Sequence, residues 1–246
     1  MEHRKPDCEL EQGRSSGSRI NAQYNTAAPD SLPARIAQYQ RRKMFRAFMA
    51  FAAARPQDTI LDVGVTSDRS YDHSNYFAAW YPHKAAITAV GLDDASFLST
   101  VYPGLRFIRA DGRDLPFGDA SFDYVHSSAV IEHVGDRGKQ MRFLSEVWRV
   151  ARKGIFVTTP NRWFPVEFHT VLPLLHWLPL RLYRNMLARL GREFFACEDN
   201  LNLLSRSDLA QLAAGAGIAS AKIGTVALAG WPTNLLLSVR KSAISP

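Results

Sequence analysis

The sequence predicts an α/β domain built on a mostly parallel sheet, and three observations carry the prediction. Short apolar runs recur at residues 59–64, 86–92 and 105–110, and each meets an aspartate at or near its carboxyl end, the pattern of buried parallel strands whose ends face a ligand. Between later runs, Met141, Leu144, Val147, Trp148 and Ala151 fall at helical spacing, which predicts the buried face of a crossover helix. With 246 residues, 46% hydrophobic and 22% charged, the chain suits one domain with a full core and additions.

Taken in order, residues 1–33 hold glycines, serines and prolines with little apolar content, so they read as a mostly disordered tail without a signal-peptide run. Residues 34–54 read as an amphipathic helix, with Met44, Phe45, Phe48, Met49 and Ala52 on one face and Arg42, Lys43 and Arg46 mostly opposite. No acidic residue occurs from Ser31 to Gln57, and the chain carries a formal charge of +7. This helix is expected to pack on the domain or roof its site, and a peripheral contact with an anionic membrane stays open.

A strand at residues 154–161 follows the crossover helix. Residues 161–200 are then rich in Leu, Trp, Phe and Arg, too long for a simple connection, and predict a lid of short helices over the ligand edge. Pro173, His176, Pro179 and Arg181 interrupt this stretch, so it does not span a bilayer. Ser205-Arg206-Ser207-Asp208 reads as a capping box for a last helix. Residues 218–228 and 234–240 supply two closing strands. The division is tail, residues 34–57 as helix, 58–160 as core, 161–200 as lid and 201–246 as helix and hairpin, with no internal repeat.

The run Arg109-Ala110-Asp111-Gly112-Arg113-Asp114-Leu115-Pro116-Phe117, then Phe122-Asp123-Tyr124-Val125-His126-Ser127-Ser128, resembles the middle of a class I S-adenosylmethionine (SAM) dependent methyltransferase of the type 11 kind. Upstream, Leu61-Asp62-Val63-Gly64 resembles the family's first motif. Downstream, Ile131-Glu132-His133-Val134 and Trp148-Arg149-Val150 match the segments that follow its fourth strand. The resemblance covers residues 58–160 strongly and implies a Rossmann-like, mostly parallel seven-stranded sheet in the order 3-2-1-4-5-7-6, with helices on both faces and a terminal antiparallel hairpin. It implies SAM as cofactor, held by Asp62, Gly64, Thr66, Asp68, Asp93, Asp94, Asp111, Gly112 and Ser127.

The same residues have a plain physical reading. Asp111, just past its strand, can accept from an adenine amine or only cap its turn. Asp93, with Asp94 as fallback, can accept from both hydroxyls of a ribose or sit at a helix N-terminus. The first loop departs from the family: after Gly64 come Val65-Thr66-Ser67-Asp68, with Asp72, His73 and Asn75 beyond and no glycine before Gly91. Without glycines the backbone approaches a ligand less closely. That disfavours a dinucleotide-dependent oxidoreductase, whose pyrophosphate needs a glycine-rich turn and would meet Asp68 and Asp72; a sulfonium and an ammonium tolerate those acids.

For chemistry, His133, Glu167 and His169 stand near the expected ligand edge, with Asn161 as an orienting amide. One histidine could take a proton from an acceptor hydroxyl, or Glu167 and His169 could form a buried pair that fixes the lid. Trp163, Phe164, Phe168 and Trp177 suit a ring or acyl chain, and Arg162, Arg181, Arg184, Arg189 and Arg192 suit an anion. The expected acceptor is a small molecule, saccharide or lipid-linked compound, methylated at oxygen, whereas nucleic acid lacks a recognisable binding module. A catalytically inactive binding protein is the alternative reading. Cys8 and Cys197 lie far apart without metal-ligand spacing, so a cytoplasmic chain with neither disulfide nor metal is expected.

Overall fold

The computed structural model describes residues 31–69 and 74–242. The expected tail, apart from its last three residues, lies outside them, as do Asp72 and His73. The described chain runs α1 Leu32–Ala52, β1 Ile60–Val63, α2 Tyr76–Trp80, β2 Ile87–Gly91, α3 Phe97–Val101, β3 Arg106–Arg109 and β4 Phe122–Ser128. It continues through α4 Arg137–Val150, β5 Ala151–Pro160, α5 Leu180–Arg189, α6 Glu193–Ala196, α7 Arg206–Gly215, β6 Lys222–Leu228 and β7 Trp231–Arg240. The strands form one sheet in the order β3-β2-β1-β4-β5-β7-β6. The first five are parallel, and β7 runs antiparallel between β5 and β6, so the expected Rossmann-like architecture is the observed one.

Helix α1 starts before the expected residue 34. Ser31 accepts from the Ala34 N–H and proline occupies the first turn, so Ser-Leu-Pro is a helix start that the tail reading passed over. Gln40, Met44, Phe48 and Ala52 are its buried line. Lys43 Nζ donates to the Ala227 carbonyl at 2.6 Å, tying the basic helix to β6. Phe48 meets Phe77, His126 and Phe156 edge-on, closing the core on that face of the sheet.

Two expectations on burial are corrected. The run at residues 105–110 is not fully buried: β3 pairs only with β2 at the sheet edge, and Arg106 and Arg109 are exposed. On α4 the buried line is Gln140, Phe143, Leu144, Val147 and Val150, with Met141 exposed. Gln140 claims the core because its amide donates to the Ile131 and Asn202 carbonyls, which turns the helix away from Met141 and Trp148.

At the end of the sheet, Ala229 and Gly230 both adopt positive φ, 46° and 83°, the two-residue hairpin turn whose twist suits flanking strands. The capping box at Ser205 and Asp208 forms as expected. Residues 161–200 fold into a 3₁₀ turn, α5 and α6, with their own apolar cluster of Tyr183, Leu187, Phe195, Ala196, Leu201 and Leu203. No helix among the described residues is long and apolar enough to cross a membrane. Cys197 is not a free thiol, contrary to the reading from cysteine spacing.

Candidate active site

Gly64 ends β1 with φ 99° and donates to the Val90 carbonyl at 2.7 Å. A Cβ there would stand 2.1 Å from Val130 Cγ2, so the first loop needs this glycine even without its missing companions. Beyond it, Thr66 N–H donates to Asn75 Oδ1 and Asn75 Nδ2 donates back to the Thr66 carbonyl, both at 2.9 Å. Thr66 is therefore occupied in holding the loop closed. The Asp68 N–H donates to Thr66 Oγ1, and the Asp68 side chain is buried.

Asp62 is engaged inside the sheet. It is buried within β1, beside His126 of β4, and accepts from His126 Nδ1 at 2.6 Å. The His126 ring stacks on Phe77 with centroids 4.2 Å apart and accepts from the Tyr76 hydroxyl at 3.3 Å. This polar pair, sunk among aromatic rings, fixes β1 against β4; the alternation of β4 alone could not reveal it.

At the end of β2, Asp93 is buried and accepts from Ser67 Oγ at 3.2 Å, which joins the first loop to the second strand. Its neighbour Asp94 is exposed and accepts from the Ser96 N–H at 2.9 Å, a local turn ahead of α3. Past β3, Asp111 takes a bidentate pair from Arg113 at 2.6 and 3.0 Å and the Arg113 N–H at 2.8 Å. Burial raises its pKa, but the guanidinium and N–H outweigh that and hold it below the ordinary value. Gly112 passes close over α4, since a Cβ there would stand 2.7 Å from Phe143.

Ser127 lies beside Val63 at the end of β4, wholly buried, and its hydroxyl has no protein partner among the described residues. An edge carrying the buried carboxylates of Asp68 and Asp93 and an unsatisfied hydroxyl fits a cationic ligand bearing hydroxyls.

The three residues expected to carry chemistry come together. Glu132 and His133 sit in a 3₁₀ turn after β4, and Glu167 and His169 in the loop after β5. His133 Nδ1 donates to the Asn200 carbonyl at 2.6 Å, His169 Nδ1 donates to Glu167 Oε1 at 2.7 Å, and the two Nε2 atoms lie 2.9 Å apart. Glu167 also accepts the N–H groups of His169 and Thr170. Burial opposes its charge, but His169 and these donors bring its pKa down to about 2. Burial alone would lower the His169 pKa, and Glu167 raises it instead. Burial and the neighbouring His169 lower His133 to about 3, while burial raises Glu132 to about 7.

Glu132 was missed by sequence reading. It is fully buried, with Oε2 accepting from Thr159 Oγ1 at 2.9 Å and Oε1 without a hydrogen-bond partner among the described residues. Asn161, expected to orient a ligand, spends its amide on the Pro232 carbonyl and the Trp163 N–H. In the lid, three buried donors lack an acceptor among the described residues: Arg162 Nε, Arg184 Nη2 and Trp177 Nε1.

A family model described as a methyltransferase domain matches residues 62–158. A Mycolicibacterium smegmatis protein named as a probable S-adenosylmethionine-dependent methyltransferase is 35% identical over 160 residues, 61% of this chain and 61% of that one. The chain thus spans less than two thirds of the length of the curated relatives it matches. In fold it is similar to a Pyrococcus horikoshii protein, with TM-score 0.55 and 16% identity over 91% of this chain and 97% of that one. It is similar also to a SAM-dependent methyltransferase of Aquifex aeolicus, with TM-score 0.51 and 12% identity over 85% and 99% of the two chains. Residues 62–158 thus match a methyltransferase domain, and the sheet has the strand order that the resemblance to class I S-adenosylmethionine-dependent methyltransferases implies.

Proposed function

We propose that this protein moves a methyl group from SAM to a hydroxyl of a small, saccharide or lipid-linked acceptor that carries an anionic group. The observation that supports it best is the meeting of His133, His169 and Glu167 beside the end of β4, on the edge where a parallel sheet of this order binds its ligand.

SAM, when bound, supplies a methyl group already activated by its sulfonium. Asp93 is assigned to the ribose hydroxyls, because it is the buried carboxylate at the end of β2, whereas the exposed Asp94 closes a turn on the Ser96 N–H. Asp111, with oxygens already engaged by Arg113, keeps lone pairs for an adenine amine. Asp68 and Ser127 complete the acidic, hydroxyl-lined edge. Asp62 has a structural part only. An acceptor O–H gives its proton to Nε2 of His133 or His169, and Glu167 holds the resulting imidazolium through His169 Nδ1.

The anionic acceptor rests on the lid. Arg162, Arg184 and Trp177 offer three buried N–H donors with no acceptor of their own among the described residues. Such donors cost about 1–3 kcal/mol each when left unmade. A phosphate or carboxylate supplies oxygens for them, and the stacked Trp177 and Trp231 rings, with centroids 6.4 Å apart, offer a face to an apolar or sugar portion.

The test is transfer of labelled methyl from SAM to a panel of alcohols, sugars and lipid-linked sugars, each with and without a phosphate or carboxylate. Transfer confined to anionic acceptors, lowered about 10²- to 10⁴-fold by His133→Asn or His169→Asn, is the expected result. S-adenosylhomocysteine binding without transfer to any of them would favour the binding-protein reading instead.

A further inference from the structure

We propose that Glu132, His133 and His169 form a binding site for one divalent transition ion of the zinc class. One oxygen or nitrogen from each of the three lies within 4.8 Å of the others. The arrangement of protons around them is what singles out a cation.

His133 Nδ1 faces a carbonyl oxygen and His169 Nδ1 faces a carboxylate. Both partners only accept, so both Nδ1 atoms carry hydrogen, and in the neutral rings both Nε2 atoms present lone pairs. Those lone pairs point at each other across 2.9 Å. Two lone pairs hold such a distance only with something positive between them, a shared proton or a metal. An imidazole whose outer N–H is held by a carboxylate or a backbone carbonyl is the usual support of a metal-ligating histidine, and here both rings have it.

The unpartnered Oε1 of Glu132 is the second, independent observation. It lies 3.9 Å from His133 Nε2 in a place with no solvent. A shared proton does nothing for it, whereas an ion between the two rings supplies its missing partner. Geometry needs only a small adjustment. Two nitrogens at about 2.0–2.1 Å from zinc stand roughly 3.3 Å apart at the tetrahedral angle and roughly 2.9 Å apart at a right angle. Two imidazoles and one carboxylate suit Zn²⁺, Co²⁺ or Ni²⁺ better than Ca²⁺ or Mg²⁺.

The ion takes the same Nε2 lone pairs that the proposed transfer uses, so a loaded site blocks the base and the two occupants compete; the test therefore uses the full chain after chelator treatment, titrated with Co²⁺ or Zn²⁺ alone and without cofactor or acceptor. Expected are saturation at one ion per chain, release of at least one proton, and Co²⁺-shifted ring resonances from His133 and His169. Glu132→Gln and His169→Gln should each weaken binding at least tenfold. Glu167→Gln, whose side chain holds His169 without reaching the ion, should weaken it less. Absence of saturable binding, shifts on other histidines, or parent-like binding by Glu132→Gln would overturn the site. Should the buried variants fail to fold, the stoichiometry and shifted resonances of the parent still decide.

Discussion

His133 Nε2 and His169 Nε2 stand 2.9 Å apart although 36 residues separate them in the chain. The contact joins the turn after β4 to the loop after β5, and it places the base of the proposed transfer where lid and core meet. Replacing His169 by Asn, with Glu167 then left buried beside no imidazole, should lower kcat more than it raises KM, since a proton acceptor acts in the transition state rather than in ground-state binding. Steady-state kinetics on the acceptor identified above would show this; an effect on KM alone would remove the histidine from the chemistry.

The two neighbouring acids after β2 should behave differently. Asp93 is buried and tied to Ser67, while Asp94 is exposed and holds only the Ser96 N–H in a local turn. Asp93→Ala should weaken S-adenosylhomocysteine binding by at least about tenfold, equivalent to about 1.4 kcal/mol. Asp94→Ala should bind as the parent does. Calorimetric titration of the three proteins, with NAD as a ligand that none should bind, separates the two positions.

The Asp62 and His126 pair makes a prediction about stability. Removing one partner leaves the other buried and unsatisfied, so Asp62→Leu should cost about 3–5 kcal/mol. His126→Phe added to it should return part of that loss, because the two rows of β1 and β4 would then meet as apolar side chains among Phe48, Phe77 and Phe156. Urea unfolding of the two single variants and the double variant measures the coupling; additive losses would mean that the pair does not act as a unit.

Gly64 combines a positive φ with a close neighbour. Gly64→Ala should destabilise by about 2–3 kcal/mol, from strain in the left-handed region and overpacking on Val130. Val130→Ala in the same chain should restore the packing part and leave the strain. Thermal unfolding of single and double variants distinguishes the two contributions.

Asp123 sets a pH dependence. It accepts from the Thr59 N–H and pairs with Arg152 and Lys153. Burial pushes its pKa up, but these partners bring it down from 3.8 to about 2. A carboxylate depressed in the folded state contributes stability that is present above pH 3.8 and is lost as pH falls from there toward 2. Solvent screens the exposed Arg152 guanidinium, so the contribution is about 1–2 kcal/mol. Asp123→Asn should lose that amount at neutral pH and show a shallower decline on acidification in denaturant melts at several pH values.

The sheet was legible because its signals are local. Apolar runs of strand length ending at acids, turn residues between them and a capping box at Ser205 each depend on a few adjacent residues, and the motif resemblance then supplied the strand order. Edges and rotations were less legible. Whether residues 105–110 lay inside or at the rim depended on which strand they paired with, and the α4 face depended on Gln140 finding two carbonyls from distant segments. In the candidate site, sequence gave the residue types near the ligand edge but not their partners. The contact between Asp62 and His126 went unseen, because a two-residue periodicity says which face a side chain takes and not what meets it there.

What the sequence by itself determined is therefore the α/β class, the match to a methyltransferase domain and the set of acids and histidines at the carboxyl ends of the strands, since periodicity and motifs are properties of neighbouring residues. Tertiary structure alone decided that His133 meets His169, that Glu132 is sealed beside them with an unpaired oxygen, and that Asp93 rather than Asp94 is buried at the site. Those outcomes rest on contacts between segments tens of residues apart, where burial removes water and leaves each polar atom to the one partner that packing brings within reach.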